Sequence, residues 1–270
     1  MNIVLTGSQG NFGSEFRKRA GHNVIGIDRD AWESLNRMPS LPEAVVIHAA
    51  SDLRSPASVS PARLMESNVM ATARLLEEAR RLRVKRFVFL SSCAVYGEDM
   101  HTAEDSSLSP ISINGVGKLL NEKLISEFCS AHGIEYQILR IFNMYGGRDG
   151  FSIVSRLEQA VRGNMSFVLN NHGVAQRDFI HVADVVTIVL GLLGMPVRHA
   201  YLNIGTGVAT RISSLVEWAR RAHPELKVEY AKTVTQEAEY SRADTGRLTE
   251  TMKLDFISIS DYVLNDFKPV

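Results

Sequence analysis

Three glycines spaced three apart stand out at the start of the chain, in Thr6-Gly7-Ser8-Gln9-Gly10-Asn11-Phe12-Gly13. This run follows a strand-like segment and opens a helical one, the setting in which backbone amides grip two linked phosphates. Gly7 permits the tight turn, Gly10 lets the backbone approach a pyrophosphate, and Gly13 lets helix and strand pack closely. The free amides opening the helix, at Asn11, Phe12 and Gly13, supply donors and a partial positive charge. Fifteen residues after Gly13, Asp28 ends a second apolar run. A carboxylate there accepts hydrogen bonds from both ribose hydroxyls of an adenosine and repels a 2′-phosphate. The chemistry predicted is a nicotinamide dinucleotide site that favours NAD over NADP, with Arg29 pulling the preference the other way.

Such a turn has to be held by a parallel sheet. Ile3–Leu5, Val24–Ile27, Val45–His48, Phe87–Leu90 and Gln137–Leu139 read as short buried parallel strands. Between them lie amphipathic stretches: Ala62–Leu82, with Leu64, Asn68, Ala71, Leu75 and Ala79 on one face, and Gly115–His132. The alternation predicts an α/β fold, a Rossmann-type doubly wound parallel sheet. After Tyr145 the pattern loosens, with helices over Phe151–Arg162 and Ser213–Ala222 and a strand over Phe167–Leu169. A small C-terminal substrate domain is expected over about 146–178 and 206–270. Residues 1–145 and about 179–205 form the NAD-binding domain, with Phe179–Leu193 and Tyr201–Ile204 returning to the large sheet.

Only sixteen residues separate Asp28 from Val45, and Arg29 to Glu43 holds no strand-like segment. Many folds of this kind place another strand and an adenine-contacting Asp in that interval; Asp30 and Glu33 are the substitutes at hand, and a weakened adenine pocket is expected.

Composition narrows the function classes. Thirty basic and thirty acidic side chains cancel in a chain of 270 residues, so no global field draws the protein to nucleic acid, and any anion site is local. Arg140, Arg148, Arg177 and Arg247 are expected to line one anionic cleft, because their segments should meet at the C-terminal edge of the sheet. The two cysteines, Cys93 and Cys129, are too few for a disulfide framework or a zinc site, which fits a reducing cytoplasm. His48, His132 and His181 have no helical ligand spacing, so no metal site is expected. With no basic or apolar leader-like run ahead of the opening strand, no signal peptide is expected. The longest apolar stretch, Val185–Met195, is too short to span a bilayer and reads as a buried helix.

Several further words, in order along the chain, resemble the extended short-chain dehydrogenase/reductase family, the nucleotide-sugar epimerases and dehydratases. Val46-Ile47-His48-Ala49-Ala50 resembles the motif that lines the cofactor, which implies cofactor contacts at Ala49 and Ala50. Asn68 matches a structural Asn. Phe87–Gly97, FVFLSSCAVYG, resembles the segment carrying the catalytic Ser or Thr, matched by Ser92. Leu139–Gly146, LRIFNMYG, carries the Asn that touches the sugar nucleotide's phosphates, here Asn143. Gln176–Asp184, QRDFIHVAD, places Arg177 at a phosphate-binding arginine, and Asn203–Gly207, NIGTG, marks the return to the sheet. The resemblance implies a nucleotide-sugar substrate, hydride transfer at a sugar carbon and a homodimer through the helices at 62–82 and 115–132.

One group is missing. The family's reaction uses a Tyr-x-x-x-Lys pair on one helix face, the Lys lowering the phenol's pKa while holding the nicotinamide ribose. Lys118 is present, but Asn114 stands four residues before it. A carboxamide does not ionise in the useful range and cannot be the general base. Three explanations remain open: another proton carrier such as Ser92, Cys93 or a water held by Lys118; a cofactor-binding protein with little or no turnover; or a variant made to trap a complex. Two other departures bear on substrate. Dehydratases of the family carry Asp-Glu after the catalytic hydroxyl, where this chain has Cys93 and Ala94, which disfavours sugar dehydration. Near Ala243-Asp244, where relatives hold the nucleotide with an Arg, Arg242 is the basic residue close by.

Overall fold

The computed structural model describes residues 1–21, 23–28, 32–54, 58–98, 100, 102–232 and 238–267. Through its first half the chain runs β1 (Asn2–Thr6), α1 (Asn11–Arg19), β2 (Asn23–Ile27), α2 (Trp32–Arg37), β3 (Val45–His48), α3 (Pro61–Met65), a π-helical turn (Glu66–Met70), α4 (Ala71–Leu82), β4 (Arg86–Ser92), a 3-10 turn (Cys93–Val95), α5 (Ile113–His132) and β5 (Glu135–Ile141). It continues through β6 (Asn143–Tyr145), α6 (Ile153–Arg162), β7 (Phe167–Asn170), β8 (Gln176–His181), α7 (Val182–Leu193), β9 (Tyr201–Ile204), β10 (Ala209–Arg211), α8 (Ile212–Ala222), β11 (Val228–Ala231), β12 (Tyr240–Ser241), α9 (Gly246–Thr251) and α10 (Ile259–Asn265).

A parallel sheet in the order β2-β1-β3-β4-β5-β9 forms the centre. Successive side chains of a strand point to opposite faces, and both faces are covered here. Ile3, Leu5, Val45, Ile47, Val88, Leu90 and Leu139 pack with α1 and α7 on one side. Val4, Val46, Phe87, Phe89 and Ile138 pack with α2, α4 and α5 on the other. This is the doubly wound Rossmann-type arrangement expected of near-continuous apolar strands.

The stretch expected as one helix over Ala62–Leu82 is interrupted by the π turn. That turn brings Asn68 inward, where its carboxamide accepts from Asp52 N at 2.7 Å and donates to Asp52 O at 3.0 Å, pinning the loop after β3. Ser112 caps α5 by accepting from Gly115 N, and Gly133, at φ +66°, ends it.

Phe179–His181 does not return to the large sheet. It belongs to β8, which pairs with β6, β10 and β12 in a second sheet, and the chain rejoins the large-sheet core at α7 and β9. A separate apolar core gathers α6, β7, α8 and α10 around Tyr145 and Phe179.

Candidate active site

The glycine turn connects β1 to α1 with little room for side chains. Gly7 sits at φ +68°, and a Cβ there would lie 2.9 Å from the Ala50 backbone; at Gly13 a Cβ would lie 2.2 Å from the Gly7 carbonyl oxygen. Gly10 is the N-cap of α1 and no side chain caps the helix, which leaves the amides of its first turn facing outward for an anion. Phe12 is buried in the sheet core and fixes the helix from below. Ala49 and Ala50 follow β3 directly against the turn, with Ala50 N donating to Thr6 Oγ1 at 3.2 Å.

Asp28 directly follows β2 with its carboxylate already aimed at the turn, accepting from Ser8 Oγ at 2.6 Å and Gln9 N at 3.3 Å. Asn11 reaches away from the phosphate position: it donates to Gly146 O at 3.0 Å and accepts from Arg148 N at 2.7 Å. Its side chain therefore ties the glycine turn to the loop after β6, leaving its backbone for a ligand. Arg29 and Asp30 lie outside the described residues, as does the side chain of Glu33. A cradle that a single Cβ would fill, next to a carboxylate on the neighbouring strand, fits a dinucleotide.

Beneath the turn, His48 bridges Thr6 Oγ1 at 2.7 Å and Thr72 Oγ1 at 2.9 Å, and burial pushes its pKa down to about 3. His181 accepts from Ala183 N at the start of α7. Among the described residues no group of histidines, cysteines and carboxylates is placed to hold a metal ion.

On the substrate side, Ser92 ends β4 and its Oγ accepts from Ala94 N at 3.2 Å. Asn114 and Lys118 lie one turn apart near the start of α5. Lys118 is buried, its Nζ donating to Leu90 O at 2.7 Å and lying 4.7 Å from the Phe89 ring centre; burial pulls its pKa down to about 8. The Asn114 Oδ1 is buried without a hydrogen-bond partner.

A cleft of about 400 Å³ opens beside them, lined in part by Cys93, Ala94, Asn143, Arg156, Arg177 and Ser241. Ser92, Asn114 and Lys118 are not among the residues that line it. Asn143 donates to Asp178 O at 2.9 Å and to Ser241 Oγ at 3.3 Å, and Arg177 donates to Gln176 O at 3.0 Å. Burial pushes the Cys93 thiol up, against the pull of Ser241 and Arg177, so it is a protonated small side chain rather than a ready nucleophile.

The model of the NAD dependent epimerase/dehydratase family matches residues 3–205. The chain belongs to this family. Its membership carries the enzyme class, the dependence on NAD and the Rossmann-like fold. It is 32% identical over 232 residues to an uncharacterized UDP-glucose epimerase, YtcB, of Bacillus subtilis, spanning 73% of each chain. It is 33% identical over 198 residues to a putative UDP-glucose 4-epimerase of Methanocaldococcus jannaschii, covering 70% of this chain and 63% of that one. The solved structure of MoeE5 in complex with UDP-glucose and NAD superposes with a TM-score of 0.89 at 25% identity, over 99% of this chain and 97% of that one.

In this family member the four arginines expected to share a cleft are dispersed. Arg140 is buried and spends its guanidinium on Glu122 at 2.9 Å, Tyr96 Oη at 2.9 Å and Glu104 O at 2.9 Å. Arg247 faces Glu104 at 3.6 Å and Asp105 at 3.7 Å, and Arg148 meets Asn11 through its backbone. Arg177 alone of the four lines the cleft. Its cationic companion there is Arg156, an exposed residue of α6. Nothing in the helix periodicity separates Arg156 from its neighbour Arg162, so sequence reasoning passed over it. Ser152 and Ser241 were missed for the same reason: isolated serines carry no pattern.

Proposed function

We propose that this chain is an NAD-dependent enzyme of the epimerase or ketosugar-reductase type, acting on a nucleotide-activated sugar by hydride transfer at a sugar carbon. The observation that carries this reading is the shared strand β6. Asn143 at its start lines the cleft, and Gly146 just beyond its end is held by Asn11 of the glycine turn. One short segment thus links a sugar-sized cleft to the dinucleotide cradle. NAD, when bound, supplies a reversible hydride acceptor. Gly7, Gly10, Gly13 and the opening amides of α1 would hold its pyrophosphate, Asp28 its adenosine ribose, Ala49 and Ala50 its flank, and Lys118 the nicotinamide ribose. Asn143 and Arg177 would bind the diphosphate of the sugar nucleotide, whose charge is favoured by a cleft with no acid among its described lining residues. Ser92 would orient the reacting hydroxyl. UDP-sugars are the first substrates to try, since both relatives are named as UDP-glucose epimerases.

A second reading, a binding protein with little turnover, is favoured by one observation: Asn114 supplies no ionisable group where the family's phenol belongs. Calorimetry with NAD, followed by turnover of UDP- and dTDP-sugars before and after Asn114→Tyr, separates the two. Activity of the unaltered chain on any of these sugars removes the binding-only reading; failure to bind NAD removes both.

We assign the small C-terminal unit at about 146–178 and 206–270 to substrate binding, supported by its separate apolar core. We also place the protein in the cytoplasm, in keeping with its two free thiols, and as a homodimer. Val116, Leu120 and Leu124 form an exposed apolar stripe on α5 at helical spacing. Light scattering should give a dimer mass that Leu120→Glu halves; a monomer in the unaltered protein at micromolar concentration would end the dimer proposal.

A further inference from the structure

Asn114 leaves the sugar hydroxyl's proton without the phenol that would take it, and the retained partner on that helix face is Lys118. Lys118 is 9% exposed, and its Nζ has the Leu90 carbonyl and the Phe89 ring as neighbours. Among the described residues no carboxylate forms a salt bridge with it. Glu122, the next turn along α5, is committed to Arg140 of β5 and to Ser91 Oγ at 2.5 Å. From β3 the facing group is His48, held neutral between two threonines. In the 3-10 turn, burial keeps the Cys93 thiol protonated. The helix at 61–82 turns Asn68 and Thr72 inward and keeps Arg63, Glu66, Arg74 and Glu77 exposed. A buried ammonium without a counter-ion favours its neutral form. Burial accordingly lowers Lys118 to about 8, with Glu122 resisting.

The second half of the geometry is the orphaned Asn114 Oδ1. A buried carbonyl oxygen calls for a donor.

We propose that Lys118, as a neutral amine, is the proton acceptor for the sugar hydroxyl, reached through one water that Asn114 Oδ1 pins by accepting its second hydrogen. This inference rests on the sugar-nucleotide function proposed above. In the forward step the sugar C–H bond breaks and its electron pair and hydrogen pass as hydride to oxidised NAD. The hydroxyl O–H bond breaks, its proton goes to the water, the water gives a proton to Nζ, and the C=O bond forms. The products are a ketosugar, reduced NAD and the Lys118 ammonium, and the reverse step returns the same proton.

Two measurements decide it. NMR of the unliganded protein labelled with carbon-13 at lysine Cε, with the Lys118 signal assigned from its loss in Lys118→Arg, should give a titration midpoint near 8. A midpoint in the ordinary lysine range near ~10.4 overturns the proposal, whatever the substrate. Single-turnover reduction of NAD by UDP-glucose or UDP-glucuronate should rise with pH through the same midpoint. Lys118→Arg, assayed at an NAD concentration that calorimetry shows to saturate it, should lose roughly 100-fold or more in rate. Asn114→Ala should lower kcat with KM unchanged and leave the midpoint in place; Asn114→Tyr should move it to lower pH. A Lys118→Arg protein as fast as the unaltered one overturns the proposal, as does reduction by Asn114→Tyr alone. If NAD or the UDP-sugar does not bind, the functional reading falls instead, and the NMR midpoint still decides the charge of Lys118.

Discussion

Replacing Gly13 by alanine puts a methyl carbon 2.2 Å from the Gly7 carbonyl oxygen and 2.8 Å from Ser8 Cα. Both neighbours are backbone atoms, so no side-chain rotation relieves the clash. To reach a contact that real Cβ atoms tolerate, α1 must retreat by roughly 0.8 Å or the turn must deform. Overpacking of this kind costs about 1–3 kcal/mol. In a chain of this size that lowers the unliganded Tm by about 2–12 °C. The same retreat carries the first-turn amides away from the pyrophosphate, and losing two hydrogen bonds to a charged group, at about 1.5 kcal/mol each, weakens binding on the order of 100-fold. At an NAD concentration a hundred times the unaltered Kd, the ligand stabilises the unaltered protein by about 2.7 kcal/mol; a 100-fold weaker site leaves about 0.4 kcal/mol. Thermal unfolding with and without NAD, backed by calorimetry, should show a lower Tm and a nearly lost ligand response together. A variant that unfolds earlier yet keeps the full NAD response would refute the link between helix packing and phosphate grip. An unchanged Tm would refute the close approach itself.

Asp28→Ala should weaken NAD by roughly 10- to 150-fold, the worth of hydrogen bonds to a charged group at about 1.5–3 kcal/mol, and should shrink the preference over NADP. Competitive calorimetry that finds the preference intact would remove Asp28 from that role. His48 titrates near 6.5 when unfolded and about 3 when buried in the fold. Between those values the unfolded chain holds a proton that the folded chain does not, so stability rises with pH across that window and is lost as pH falls through it. His48→Gln should flatten this acid limb in denaturant titrations, and a limb of unchanged slope would show that other groups set it.

The strands and the glycine turn were legible because their signals are local. β-branched runs and fixed glycine spacing report backbone shape directly, and the register Ile3↔Val24 and Ile3↔Val45 falls where the runs align. What was not legible depends on partners far apart in the chain. Phe179–His181 reads as a buried strand in either sheet, and periodicity does not say which sheet receives it. Arg140 looked like a cleft cation because its partner Glu122 lies on another element, 18 residues away. The π turn at Glu66–Met70 leaves the apolar period of the helix nearly intact, so its work, aiming Asn68 at the Asp52 backbone, has no sequence signature. Asn114 was legible as a missing phenol; that its oxygen is buried and unpartnered was not.

The edge of the large sheet explains why cofactor binding should lean so heavily on Gly13 and Asp28. β2 is the outer strand, and among the described residues the interval before β3 holds the short helix α2. Leu35 of α2 is fully buried in the core beneath the sheet, and Arg81 of α4 donates to the carbonyls of Leu35 and Met38, so this helix is bolted down as a structural plug. Anchored there, the described part of α2 packs into the core. On the proposed reading, the Asp28 carboxylate would then carry much of the hold on the adenosine end. Two donors from the glycine turn, Ser8 Oγ and Gln9 N, already orient that carboxylate, so a small part of the ordering cost of binding is met before the ligand arrives. Any movement of the turn therefore disturbs the phosphate grip and the ribose contact at once, and the two losses should be non-additive. Gly13→Ala combined with Asp28→Ala should weaken NAD by less than the product of the two single effects, and a strictly multiplicative loss would show the turn and the carboxylate to be independent.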